Sequence, residues 1–181
     1  MTRLALLVLT LFTLGAAAPP SAPPDDTVGQ FYKAYWALKI SGGVPEDKAR
    51  KVLEPYLTPD LTSALSDADK AEARYAARTK NEVPPLIEGD LFTSLFEGAS
   101  GLDAVQCTSE EKTARCKAKL RYQDARSKDV VRWTDEVTLL ATSAGWRIDD
   151  IAYGGTWEFM HKGTLRDLLK QVVRDADRTE N

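Results

Sequence analysis

Few residues of this chain are suited to chemistry, and their types narrow what that chemistry can be. His161 is the sole histidine, so a two-histidine zinc site is excluded and a Ser-His-Asp triad would have to recruit this one residue. No glycine-rich phosphate loop, paired-cysteine zinc motif or Gly-x-Ser-x-Gly turn is present. No metal or cofactor is expected. Acids remain. Asp90 follows Gly89 in a loop over 81–98 that carries seven large apolar side chains. It is placed either to cap a short turn through Leu91 to Phe96 or to stand as an acid at a pocket mouth. Asp149 and Asp150 read as one carboxylate bonding local backbone and one facing water. Cys107 and Cys116 are expected to form a disulfide, because the count is even and eight intervening residues suit a hairpin between antiparallel strands.

The elements that must hold these groups can be read from periodicity. Residues 130–153 form two β-rich runs joined at Ser143-Ala144-Gly145. Val131, Trp133, Val137, Leu139 and Ala141 share one parity, with Arg132, Thr134, Glu136 and Thr138 on the other, as in a half-buried antiparallel strand. Trp146 and Ile148 share a parity that Ile151 and Tyr153 do not, so a β-bulge near Asp149-Asp150 is required to bury both sets. Strand pairing is expected to begin at Asp103 to Thr108. The strand after it alternates Cys116, Ala118, Leu120 and Tyr122 with a basic row, Arg115, Lys117, Lys119 and Arg121, which Asp135 or Glu136 would offset.

Helices flank these strands. Thr27-Val28-Gly29-Gln30 reads as a capping box starting a helix with Val28, Phe31, Tyr35 and Leu38 on one face, widened by Tyr32 and Trp36 and ended by Gly42-Gly43. A short helix is expected from Pro45 to about Leu53, where Pro55 interrupts. Thr58 should cap a third, with Pro59 in its first turn and an apolar stripe through Leu61, Leu65, Ala68 and Tyr75. After the aromatic loop Gly154 to Lys162, Thr164 should cap a last helix that buries Leu165, Leu168, Leu169, Val172 and Ala176 and turns Arg166, Lys170 and Arg174 away. The fold class is α+β: helices packed on a curved antiparallel sheet, with a C-terminal helix.

Length and composition suit one domain, since 181 residues are 43% apolar. Arg3, the apolar run Leu4 to Leu14 and Gly15-Ala16-Ala17-Ala18 form the three zones of a secretory signal, expected to be removed after Ala17. The run is too short to span a bilayer, which needs about 20 apolar residues. There is no cysteine near the cleavage point, which argues against a lipoprotein anchor. The resulting divisions are a signal peptide over 1–17, a Pro-rich leader over 18–26, a domain over 27–176 and a fraying tail over 177–181. Removal of Arg3 takes the formal charge from -3 to -4, with 23 basic against 27 acidic residues. That acidity argues against a nucleic-acid or anionic-membrane binder. The expected location is periplasmic or secreted.

Helices first, then a bent antiparallel sheet with Gly-Trp-Arg-Ile-Asp-Asp-Ile at its late strand: over residues 27 to about 153 this order resembles the nuclear transport factor 2-like, cystatin-like cone superfamily. The Phe31-Tyr32 helix start, the Gly89-Asp90-Leu91-Phe92 loop and the strand Trp146 to Tyr153 also look like a small bacterial envelope family of unknown function built on that cone. The terminal helix departs from the pattern, and would cover either the mouth of the cone or its outer surface. Enzymes of the superfamily that resemble ketosteroid isomerase use an aspartate base with a tyrosine or acid donor in an apolar cavity. The resemblance thus implies Asp90, Tyr153 and Asp150 as catalytic candidates, with Asp149 and Tyr32 of the right type.

Two functions follow as expectations. The favoured one is a non-enzymatic periplasmic protein that holds a small apolar ligand or an envelope protein on the concave sheet face and the loops 81–98 and 154–162. Phe31, Tyr35, Asp90, Phe92, Trp133, Tyr153 and Trp157 are its binding candidates, and a dimer is left open. The alternative is a cofactor-independent isomerase, dehydratase or hydrolase with an Asp base in the cone. A buried carboxylate facing an open cavity would favour the enzyme; a plugged cone with an exposed aromatic patch would favour the binder.

Overall fold

A computed structural model describes residues 22–124, 128–158 and 160–178. The expected signal peptide over 1–17 and the last three residues lie outside the described residues. The central hairpin forms as its alternation demands, from β3 (Val130–Thr142) and β4 (Gly145–Ala152). Thr138 faces Asp150 while Leu139 faces Ile148, so Asp149 is the extra residue of a bulge. The bulge rotates the second half of β4, and Ile148 and Ile151 are both fully buried despite opposite parity. Ala141, expected in the core, is exposed near the end of its strand, and Val131 is only partly buried.

Two further strands, β1 (Gly101–Glu110) and β2 (Thr113–Gln123), complete an antiparallel meander in the order β1-β2-β3-β4. In β2 Ala114, Cys116, Ala118 and Leu120 are buried while Arg115, Lys117 and Lys119 face out. Cys107 and Cys116 oppose one another across β1 and β2, with Cα atoms 4.0 Å apart, and are disulfide-bonded.

The first helix, α1 (Pro24–Leu38), starts three residues before the expected Thr27, so Pro24, Asp25 and Asp26 belong to the helix and not to a leader. There is no capping box. Pro24 brings a preset helical φ to the first turn, Asp25 and Asp26 suit the positive end of the helix dipole, and the Pro23 carbonyl accepts the Thr27 N–H at 3.2 Å. Lys39, left-handed at φ 51°, ends the helix ahead of Gly42. The short helix α2 (Asp47–Leu53) starts two residues after Pro45 and passes into a 3-10 turn over Glu54–Tyr56. Arg50 of α2 is 8% exposed and bonds the Pro45 carbonyl and Asp69 of the next helix.

That helix, α3 (Pro59–Arg78), is capped by Thr58, whose hydroxyl accepts the Leu61 N–H at 3.2 Å. It buries Leu61, Leu65, Ala68 and Ala71, with Tyr75 half-buried. The last helix, α4 (Leu165–Ala176), is capped by Thr164 and packs along α3 and beside β4. Arg166 does not turn away as its helical position suggested. Its guanidinium reaches the Asp149 carbonyl at 2.6 Å and carboxylate at 2.5 Å, because the bulge pushes those acceptors toward the start of α4. Asp149 is accordingly no water-facing carboxylate, and it also accepts the Thr58 hydroxyl at 2.8 Å. No helix among the described residues is long and apolar enough to cross a membrane.

Candidate functional site

The loop over 86–98 decides what the bent sheet can hold. Glu72 of α3 anchors its start by accepting the N–H groups of Leu86 and Ile87 at 3.2 and 2.8 Å. Gly89 is left-handed at φ 75°, and a Cβ there would lie 2.6 Å from the Phe96 ring, so only glycine lets the loop fold back on itself. The Asp90 N–H then bonds the Phe96 carbonyl at 2.8 Å, and the Asp90 carboxylate accepts the Phe92 N–H at 2.9 Å, the capping role open to it from sequence. Leu91, Phe92, Thr93 and Ser94 are all 0% exposed.

This plug is tied to three sides. From α1, the Tyr32 hydroxyl donates to the Phe92 carbonyl at 3.2 Å and the Tyr35 hydroxyl to the Asp90 carboxylate at 2.7 Å. Behind β4, the Tyr153 hydroxyl donates to the Leu91 carbonyl at 2.8 Å, and His161 Nε2 lies 2.9 Å from the Asp90 carbonyl oxygen. Phe92 packs edge-on against Phe31 and Tyr35, with ring centres 5.3 and 4.8 Å apart.

The third side is Asp135 of β3, fully buried between Trp133 and Val137. It does not offset the basic row of β2, where Glu136 pairs with Arg115 at 3.0 Å and Asp103 of β1 pairs with Arg121. The Asp135 carboxylate instead accepts the Ser94 N–H at 2.9 Å, the Ser94 hydroxyl, the Trp133 indole N–H at 3.0 Å and the Gly154 N–H at 2.9 Å. Gly154 reaches it because a Cβ at that position would sit 2.0 Å from the Thr134 carbonyl oxygen. Four donors supply what a buried carboxylate requires in place of water.

Titration behaviour follows from this burial. Desolvation raises the Asp90 carboxyl above its ordinary value, against the hydrogen bonds from Tyr35, Thr93 and the Phe92 N–H. The phenols of Tyr32, Tyr35 and Tyr153 are raised by desolvation first and by the nearby carboxylates second. All three therefore stay protonated donors.

Of the residues singled out by sequence, Phe31, Tyr35, Phe92, Asp90, Tyr153 and Trp133 come together around the plug, and they spend their surfaces on it. Asp150 lies elsewhere, its carboxylate accepting the N–H groups of Ile151 at 2.9 Å and Arg166 at 3.0 Å. Trp157 sits at the edge, its ring perpendicular to Trp133 at 5.6 Å. There it lines an open cleft of about 460 Å³ with Leu95, Phe96, Glu97 and Met160. Phe96 is 44% exposed. A second cleft of about 370 Å³ adjoins it, lined by Ile40, Ser41, Gly42, Glu88, Gly89 and Asp90 and sharing Phe96 and Glu97. Sequence reasoning missed Asp135 as a core group, although a charge at a core parity between Trp133 and Val137 was a visible signal. No local pattern marked Ser94, or separated Phe96 from the buried apolar residues of the same loop.

No family model matches the chain. No solved structure matches it either. Among curated proteins, the chain is similar to the uncharacterized lipoprotein YbjP of Escherichia coli strain K12, at 27% identity over 147 residues that cover 81% of this chain and 75% of the relative.

Proposed function

We propose that this is a periplasmic, non-enzymatic binding protein of the bacterial envelope, which seats an apolar group of a small ligand or a partner protein in the cleft lined by Leu95, Phe96, Glu97, Trp157 and Met160. One observation carries the reading: the plug fills the inside of the sheet, and Phe96, the one exposed aromatic side chain among the described residues, lines a cleft together with the half-buried Trp157, Leu95 and Met160. Contiguous exposed apolar surface of this kind marks interaction sites. An envelope location is supported by the similarity to a lipoprotein and by the disulfide, which persists in oxidising compartments. The lipid itself is part of the relative's name only; both cysteines of this sequence are bonded to each other. The helices-then-meander order remains the support for a nuclear transport factor 2-like cone.

The test is fluorescence titration with the neutral apolar probe N-phenyl-1-naphthylamine. Wild-type protein should enhance probe emission saturably, and Phe96→Ser and Trp157→Ala should each weaken binding at least fivefold. Equal binding by all three would remove the cleft from consideration.

The enzyme reading keeps one observation in its favour, the raised carboxyl of Asp90 at the wall of the 370 Å³ cleft. A base there would have to release the Phe92 N–H and the Tyr35 hydroxyl, which occupy its two oxygens.

A further inference from the structure

The two clefts beside Phe96 differ in character. The larger is walled by Leu95, Trp157 and Met160. The smaller has three carboxylates, Glu88, Asp90 and Glu97, and among the described residues neither cleft has a lysine or arginine in its lining. Asp90 is committed to Tyr35 and Phe92, whereas Glu88 and Glu97 are exposed and have no salt bridge among the described residues. An apolar slot thus opens, across one aromatic ring, onto a negative slot with two uncommitted charges.

We propose that the occupant is an extended segment of a partner protein that carries an apolar residue and, two positions along, a lysine or arginine. The inference rests on the cleft reading above and adds the chemistry of its partner. Charge complementarity selects the cation, since a basic group entering the smaller slot meets Glu88 and Glu97 and can lie against the Phe96 ring. An extended chain suits the pair of slots: side chains two apart point the same way, about 6.6 Å apart along the strand, so the pair can straddle one ring. A neutral apolar ligand would fill the larger slot and leave both glutamates unused. A helical segment would need residues three or four apart to reach both slots.

Binding of acetyl-Gly-Leu-Gly-Lys-Gly-amide, and of its versions with Gln or Glu for Lys and Ser for Leu, tests this by titration calorimetry at low salt. Wild type should prefer the Leu/Lys peptide to the Leu/Gln peptide at least fivefold and the Leu/Glu peptide least of all. The preference should vanish in the Glu88→Gln, Glu97→Gln double variant and shrink in 0.5 M salt. Phe96→Ser should weaken every Leu peptide without abolishing the charge preference. Equal affinity for the Lys, Gln and Glu peptides would overturn the inference and leave the apolar cleft standing, as would binding of the naphthylamine probe with no peptide bound. Failure of probe and peptides alike would end both readings.

Discussion

Asp135 is the side chain on which the interior depends most. Its carboxylate is fully buried and receives four hydrogen bonds from three segments. Replacement by leucine strands the Ser94, Trp133 and Gly154 N–H groups without acceptors, each a loss of about 1 to 3 kcal/mol. Asp135→Leu should therefore lower stability by about 3 kcal/mol or more in urea unfolding, and a loss under 1 kcal/mol would show that the network is dispensable. Asp90 makes a different prediction, one of sign. Burial raises its carboxyl in the folded state, so the native chain holds that proton more firmly than the unfolded chain does. The resulting stability is complete below the ordinary carboxylate value of about 3.9 and is lost as pH rises through the higher folded value. The stability of wild type minus that of Asp90→Asn should then fall as pH climbs above about 3.9. A difference that grows with pH would contradict the assignment. The capping role of Asp90 was legible in its own sequence, because the partner, Phe92, is two residues away. Ser94 was not legible at all, since its partner lies on a strand 41 residues off.

Among the elements, the strands were read more closely than the helix ends. Period-two alternation specifies which face is buried, and a parity conflict such as that between Ile148 and Ile151 has few remedies, so the bulge could be placed to within a residue. The start of α1 was missed because two signals compete there, a Thr-x-x-Gln box and a Pro-Asp-Asp first turn, and the prolines prevail by pre-setting the backbone. Arg166 was misjudged for another reason: helical periodicity describes one helix, and the acceptors that draw Arg166 inward are created by a bulge in β4. The β1–β2 hairpin invites a direct measurement. Its disulfide closes a short loop between residues 9 apart, for which chain entropy gives about 2 to 3 kcal/mol. Reduction, or the Cys107→Ser, Cys116→Ser double variant, should lower the unfolding free energy by that amount while the circular dichroism of the folded state is retained. Two titratable thiols in the unreduced unfolded protein would refute the bond itself.

At the scale of the molecule, intact-mass measurement of periplasmic material should give a chain beginning near Ala18, and retention of Met1 would exclude export by a cleaved signal. The arrangement of helices over a bent sheet was open to sequence reasoning because each element carries its own period. The filling of that sheet was not, because residues 86–98 have no period and their partners lie on α1, β3 and the segment after β4. The same separation governs how the protein assembles. The plug's bonds to Tyr32, Tyr35 and Tyr153 join residues 60, 55 and 62 apart. The set cannot be completed until α1 and the far end of the meander have both been brought to the loop, so full closure of the plug is expected late in folding. If closure comes last, the plug should be the first part of the interior to come away, a partial opening that leaves the disulfide-linked hairpin paired. Native-state hydrogen exchange should show the Phe92 and Ser94 amides released at lower denaturant than those of Cys116 and Ala118.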